Sequence, residues 1–106
     1  MTHPSRQDLI RGFDPSGVGL ENGNFCGLPF DYDTAGIVLL GVPWEVTVSY
    51  HAGTAQGPAA VLNASPQLDL YDLDNPEGWQ QGIYMPPLPE WMQQRNDELR
   101  PLAAQI

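Results

Sequence analysis

The sequence has 106 residues, the size of one domain, and 42% of them are hydrophobic, which is enough to supply a core. Its formal net charge of -9 comes from thirteen carboxylates against four arginines, which argues against nonspecific binding of nucleic acid. The single cysteine excludes an internal disulfide, and no apolar run reaches the ~20 residues of a membrane span, so we expect a soluble protein of the cytoplasm, unexported and without membrane contact.

The composition of residues 1–35 predicts an irregular arm. Residues 1–9 are polar, and we expect them to be frayed or weakly helical. Glycine and proline then recur every few positions between residues 11 and 30, which is typical of successive turns. The apolar side chains of the arm need a cover, so we expect the arm to lie across another surface, and a neighbouring subunit is one candidate. Cys26 is interpreted as a small buried hydrophobe rather than a nucleophile.

The unbroken apolar run at residues 37–40 predicts a strand in the middle of a parallel sheet, covered on both faces. Pro43 has no N–H to donate, so the strand should end within one residue of Gly41. A long loop without a sustained period follows at residues 44–56. In open α/β sheets the carboxyl ends of strands hold the ligand, so this loop is where a site would lie, unless it is only a structural cover.

A helix is predicted after the loop, because Gly57 and Pro58 form a start signal and proline is favoured at the first helical position. The helix should end near Ser65, since Pro66 disfavours helical backbone at the residue before it.

The following stretch predicts short elements. Residues 67–74 alternate leucine with aspartate and predict a short strand or an extended turn, and the spacing of the carboxylates does not match a calcium loop. Residues 75–78 predict a turn, and residues 80–85 a short strand or connector. Residues 86–89 predict a stiff proline-rich spacer, with a polyproline ligand for an aromatic groove as the alternative.

The last segment predicts a helix with an apolar side that includes Trp91, Met92, Leu99 and Leu102, and Pro101 should kink or break it. Neither a glycine cap nor a basic final turn closes this helix. We therefore expect residues 36–106 to be the first part of a domain that continues beyond the carboxyl end.

Two motifs resemble the amino-terminal segment of the ureohydrolase family, which includes arginase, agmatinase and formimidoylglutamase. They are GVPWE at residues 41–45 and SYHAGTAQGPAAV at residues 49–61. Residues 17–25 and 67–72 are similar to an agmatinase-like subgroup that includes guanidine hydrolases. His51 and Gln56 stand where arginine is frequent in the family, which leaves the substrate open.

The resemblance implies an α/β fold, the amino-terminal part of a three-layer α/β/α protein with a parallel sheet. It implies hydrolysis of a guanidino or amidino C–N bond by two Mn²⁺ ions, or by Ni²⁺ in some relatives, in a trimer or hexamer of identical subunits. The family motifs GGDH, DAHxD and SxDxDxxDP do not occur in the sequence. Metal ligands and the general base would then lie beyond Ile106, and this chain alone would bind no metal and be inactive.

By the same resemblance, Glu45, Tyr50, His51 and Gly53 would line one wall of the substrate cleft, and no catalytic residue is assigned. Tyr50 could stack on a planar guanidinium through cation–π attraction. For Glu45 the alternative is a carboxylate that accepts backbone N–H bonds and fixes the loop. His51 has the alternative of an exposed or hydrogen-bonded loop residue. The rival function for the whole chain is a non-catalytic interaction module or assembly arm, in which the arm and the Trp91 helix dock on a partner.

Overall fold

The computed structural model describes residues 4–17, 19–48 and 51–105. Three α-helices and two short strands follow one another in these ranges, and four 3₁₀ turns lie between them. The α-helices and strands are α1 (Arg6–Arg11), β1 (Ile37–Val38), α2 (Gly57–Ala64), β2 (Ile83–Tyr84) and α3 (Glu90–Ala103). The 3₁₀ turns are Phe25–Gly27, Thr54–Gln56, Ser65–Gln67 and Gly78–Gln81. None of the helices in the described ranges has both the length and the apolar character of a membrane span.

Helix α1 begins with a reciprocal cap. The Ser5 hydroxyl accepts the Asp8 N–H at 3.2 Å, and the Asp8 carboxylate accepts the Ser5 N–H at 3.2 Å. The Arg6 guanidinium donates to the carbonyls of Gln80 and Gln81 at 2.6 and 2.8 Å, which ties α1 to the turn before β2. The expectation of a frayed or weakly helical segment is therefore corrected from residue 5 onward, because the cap satisfies N–H groups that a bare helix start leaves open.

The core is built from the arm itself. Phe13, Cys26, Leu28 and Phe30 pack with Trp79, and Phe30 is fully buried. The ring centroids of Phe13 and Trp79 are 5.1 Å apart. These arm side chains thus find cover on residues outside the arm, including Trp79 and Ile83 of the same chain. A contact of the arm with a neighbouring subunit remains a prediction.

The burial predicted for Cys26 is confirmed. Its thiol is enclosed in the core, and this burial raises the pKa of the Cys26 thiol, which disfavours the reactive thiolate. The Cys26 N–H donates to the Ser65 hydroxyl at 2.7 Å, and that hydroxyl donates to the Leu62 carbonyl at 2.8 Å. These two bonds attach the arm to the end of α2.

Strands β1 and β2 pair in parallel, with Ile37 opposite Ile83 and Val38 opposite Tyr84. The strand predicted at residues 37–40 is confirmed for Ile37 and Val38, and its place in the middle of a covered sheet remains a prediction. Within the described residues, β1 ends at Val38 and pairs with β2 alone, and Leu40 is 78% exposed. The physical reason is that a parallel strand is enclosed only when it has a neighbour on each side and helices on both faces.

The helix predicted after the loop is confirmed as α2, with Pro58 in its first turn and Ser65 as its cap residue. Pro66 does not end the helical backbone there, because the chain continues for one 3₁₀ turn. The short strand predicted within residues 80–85 is confirmed as β2.

Helix α3 is continuous through Pro101, so the predicted break at this residue is wrong. Pro101 lies two residues before the end of the helix, where few backbone bonds remain to be lost. The apolar side predicted for this helix is buried only in part, since Met92 and Leu99 are half-buried. Trp91 is 64% exposed and Leu102 is exposed, whereas the buried residue of α3 is Asn96, at 4% exposure.

Candidate functional site

The loop that follows β1 is fixed to α3 at the backbone of Glu45. The Glu45 N–H donates to Asn96 Oδ1 at 2.6 Å, and the Glu45 carbonyl accepts from Arg100 Nη1 at 2.8 Å. Asn96 and Arg100 are four residues apart, so both lie on one face of the helix. One residue of the loop is therefore held at its N–H and at its carbonyl by two side chains of a single helix.

The side chain of Glu45 binds the far end of the same loop. Its Oε2 atom accepts the Gly53 N–H at 2.7 Å and the Ala55 N–H at 3.2 Å. Ala55 lies in the 3₁₀ turn that leads into α2, where backbone N–H groups have no partner within the helix. Gly53 has a φ of +137°, a conformation that side chains rarely adopt, so glycine suits this corner. Glu45 thus connects α3, the loop and the start of α2.

These bonds also set the charge state of Glu45. The Gly53 N–H, followed by the Ala55 N–H, stabilises the carboxylate and lowers the pKa of Glu45, and the positive charge of Arg100 acts in the same direction. The Asn96 amide is buried with its oxygen on Glu45. In the part of the chain that the structure describes, no buried side-chain polar atom lacks a hydrogen-bond partner. The polar cluster is therefore internally satisfied, as buried polar groups must be.

Two openings lie beside this cluster. A groove of about 560 Å³ runs between residues 46–48 and the end of α3, where Asp97, Arg100 and Pro101 line it. A smaller cavity of about 140 Å³ is lined by Glu45 and Asn96 among others. The Glu45 contact with α3 therefore borders open space.

The structure brings two of the four predicted site residues together, since Gly53 donates to Glu45. The alternative given for Glu45, acceptance of backbone N–H bonds that fix the loop, is what the structure shows. His51 lies exposed on the same loop, and Tyr50 is outside the described residues. Whether these four residues line a substrate cleft remains a prediction.

The sequence analysis missed Asn96 and Arg100. A signal for Asn96 was present, because Met92, Asn96 and Leu99 follow the spacing of one helical face, and a polar residue within such a face calls for a partner. Nothing in the spacing pointed to Glu45 as that partner, since 51 residues separate it from Asn96.

The described residues do not fit a metal centre. Within the ranges 4–17, 19–48 and 51–105, no group of three or more His, Cys, Asp or Glu side chains is close enough to hold an ion. A two-metal hydrolytic site needs more ligands than Glu45 and His51 would supply.

A parallel strand, a long loop fixed by polar bonds and a helix opened by proline define an α/β protein with its candidate site beyond the strand end. Residues 35–91, more than half of the chain, match the Arginase family, and the chain belongs to this family. This confirms the resemblance stated from residues 41–61.

A curated relative supports the same family. Over 41 residues, 39% of the chain, the sequence is 49% identical to the N(1)-aminopropylagmatine ureohydrolase of Synechocystis sp.. This stretch spans 13% of that relative's length, so the chain corresponds to a small part of it. No solved structure matches the chain.

Proposed function

We propose that the complete protein containing this chain hydrolyses a C–N bond of a guanidino or amidino compound. The observation that carries the proposal is the Arginase family match over residues 35–91, which contains the whole loop from Glu45 to Gly53. The identity with a ureohydrolase over 41 residues supports the same reaction class. Because the matched stretch is a small part of that relative, the activity is proposed for the complete protein and not for these 106 residues.

The proposed substrate is a small cationic guanidino compound, and N1-aminopropylagmatine, agmatine, arginine and guanidine are the candidates. The loop after β1 would form one wall of the cleft. Glu45 and Gly53 brace this wall through their hydrogen bond, while Tyr50 and His51 would face the substrate. The acidic balance of the chain supports a cationic ligand, because negative potential raises the local concentration of cations.

Two Mn²⁺ ions, or Ni²⁺, are proposed as cofactors of the complete enzyme. The described residues offer no group that could hold them, so the proposal places the ligands elsewhere in the complete protein.

A three-layer α/β/α architecture, assembly into a trimer or hexamer and a cytoplasmic location belong to the same proposal. The exposure of β1 and of the residues after it supports the first, since Ile37 is 42% exposed and Leu40 even more so. Further strands and helices would cover them.

The test is an assay of the full-length protein, prepared with Mn²⁺ and separately with Ni²⁺, against the four candidate compounds. We expect urea release from at least one compound. His51→Ala and Tyr50→Ala should each raise KM while the metal content stays at the wild-type level. Absence of urea with every compound and both metals would contradict the proposed reaction. Loss of metal in either variant would show that the replaced residue does not belong to the cleft wall.

A non-catalytic interaction module is the second candidate, and the exposure of Trp91 and Leu102 on α3 favours it. The two candidates separate in one comparison. A module would release no urea. Its complex with a partner, detected by sedimentation for the wild type, would dissociate in Trp91→Ser. An enzyme would release urea whether or not Trp91 is replaced.

A further inference from the structure

We infer that Asn96 and Arg100 are positioning residues, through which helix α3 sets the place of the cleft-wall loop at Glu45. The catalytic part of this inference rests on the proposed function, whereas the structural part does not. Nothing in the motifs of residues 41–61 assigns a role to either side chain.

The geometry of the two contacts carries the inference. Asn96 Oδ1 accepts the Glu45 N–H at 2.6 Å, and Arg100 Nη1 donates to the Glu45 carbonyl at 2.8 Å. Because one contact uses a donor of the loop and the other an acceptor, the peptide groups on both sides of Glu45 are fixed in place and in orientation. The contacts span 51 and 55 residues of sequence, so the loop cannot form them locally.

The side chain of Glu45 in turn fixes the other end of the loop. Its carboxylate accepts the N–H groups of Gly53 and Ala55, so both ends of residues 45–53 are held by one side chain. The part between them carries Tyr50 and His51, which the proposed function places against the substrate. A shift of α3 would therefore move both anchored ends of the loop, at Glu45 and at Gly53.

The chemistry of Asn96 distinguishes a positioning role from simple packing. An apolar residue of similar size would fill the space of the amide and would leave the Glu45 N–H without its acceptor. Aspartate would fill the same space and keep an acceptor oxygen, but it would replace the amide N–H that Asp97 accepts at 3.4 Å with a second carboxylate. If the bond to Glu45 matters, leucine should impair the loop more than aspartate does.

The experiment uses the full-length protein with Asn96→Leu, Arg100→Met and the rescue variant Asn96→Asp. Gln94→Leu and Arg95→Met are the matched controls, because both residues are exposed on the same helix and Arg95 makes only a surface contact of 3.7 Å with Glu98. Amide hydrogen exchange is measured at Glu45 and Gly53, and steady-state kinetics are measured with the best guanidino substrate.

We expect Asn96→Leu to speed exchange at Glu45 by about tenfold or more, because its N–H loses its acceptor. Exchange at Gly53 should rise as well in both Asn96→Leu and Arg100→Met, and both variants should raise KM several-fold with little change in kcat, as expected when a wall that binds the substrate is displaced. The two controls should stay near the wild type, and Asn96→Asp should lie between the wild type and Asn96→Leu, because it keeps the acceptor but places a carboxylate beside Asp97.

Exchange at Glu45 and Gly53 that is unchanged in Asn96→Leu and Arg100→Met would overturn the inference. So would faster exchange with an unchanged KM, since the loop would then be held by α3 without forming the wall. If Asn96→Leu exposes amides throughout the protein, Arg100→Met decides, because its side chain is only partly buried. If the wild type cleaves none of the compounds, the proposed function fails, and the exchange data still test whether α3 holds the loop.

Discussion

The arm core and the Glu45 loop are held by different forces. The core around Phe30 and Trp79 is apolar, and its stabilisation depends on the area removed from water rather than on direction. The loop is held by hydrogen bonds that meet at Glu45, including two from side chains of α3 to its backbone and two from loop N–H groups to its carboxylate. A core of this kind tolerates swaps that conserve volume, whereas the loop requires each donor and acceptor at its place.

The two regions also differ in where they lie relative to the family match. Four of the five core residues precede residue 35, where the match begins, and Trp79 lies inside it. Glu45 and its partner Gly53 lie inside the match. The loop within the family match is thus fixed by directional bonds, two of which come from Asn96 and Arg100 beyond the match.

The largest effect is expected from Phe30→Ala, because Phe30 is fully buried at the centre of the core. Removing its ring should lower the free energy of unfolding by about 3–5 kcal/mol. Chemical denaturation of the full-length protein measures this change, and Phe30→Leu, which keeps most of the volume, should lose less. A loss below about 1 kcal/mol for Phe30→Ala, the level of a surface substitution, would mean that the arm does not form a core.

A smaller loss is expected from Gly41→Ala, at the junction between β1 and the loop. A Cβ at Gly41 would lie 2.4 Å from Leu88 Cδ2 and 2.8 Å from Pro58 Cβ, too close for either atom. Overpacking of this kind costs about 1–3 kcal/mol.

The matched control is Gly57→Ala in the same chain. A Cβ at Gly57 meets no atom within 4 Å, and its φ is helical at -54°. Open space favours alanine here, whereas Pro58 disfavours helical backbone at a preceding residue that carries a Cβ. The net change in stability should therefore be smaller than that of Gly41→Ala. Equal effects of the two substitutions in thermal unfolding would show that the packing at Gly41 is not as described.

The smallest effect is a pH dependence confined to the loop. The folded pKa of Glu45 is lowered, mainly by the Gly53 N–H, so the folded protein binds this proton less readily than the unfolded chain does. The contribution of the carboxylate is present above the unfolded pKa, roughly 4.3 for glutamate, and is lost as the pH falls through the lower folded pKa. The protection factor of the Gly53 amide against exchange should fall in this window.

The Leu20 amide is the internal reference for that experiment, because it donates to the Gly27 carbonyl in the arm and has no carboxylate partner there. Its protection factor should persist while that of Gly53 declines. Parallel loss at both amides would indicate general acid unfolding and not titration of Glu45.

Local backbone chemistry made parts of this fold predictable. The start of α2 follows from the fixed φ of Pro58, and its end lies near Ser65 as predicted, although Ser65 keeps helical backbone before Pro66 and leads into a 3₁₀ turn. The Ser5 and Asp8 cap is a signal of the same local kind, and the sequence analysis overlooked it. Elements that depend on the residues within a few positions can thus be found by spacing alone.

The long-range parts could not be predicted. An apolar run such as residues 37–40 indicates that a strand prefers to be buried. Which elements bury it depends on neighbours that the run does not encode. The pairing of Glu45 with Asn96 and Arg100 depends on the fold that brings α3 to the loop. For that reason Glu45 and Gly53 could be named as candidates, while the two helix residues that fix them could not.

The most direct test of the account is a crystal structure of the full-length protein with its metal ions and a bound guanidino compound. The account predicts that the compound contacts the loop between Glu45 and Gly53, and that the Glu45 N–H still donates to Asn96. A compound bound without contact to any residue of this loop, or a loop released from α3, would contradict it.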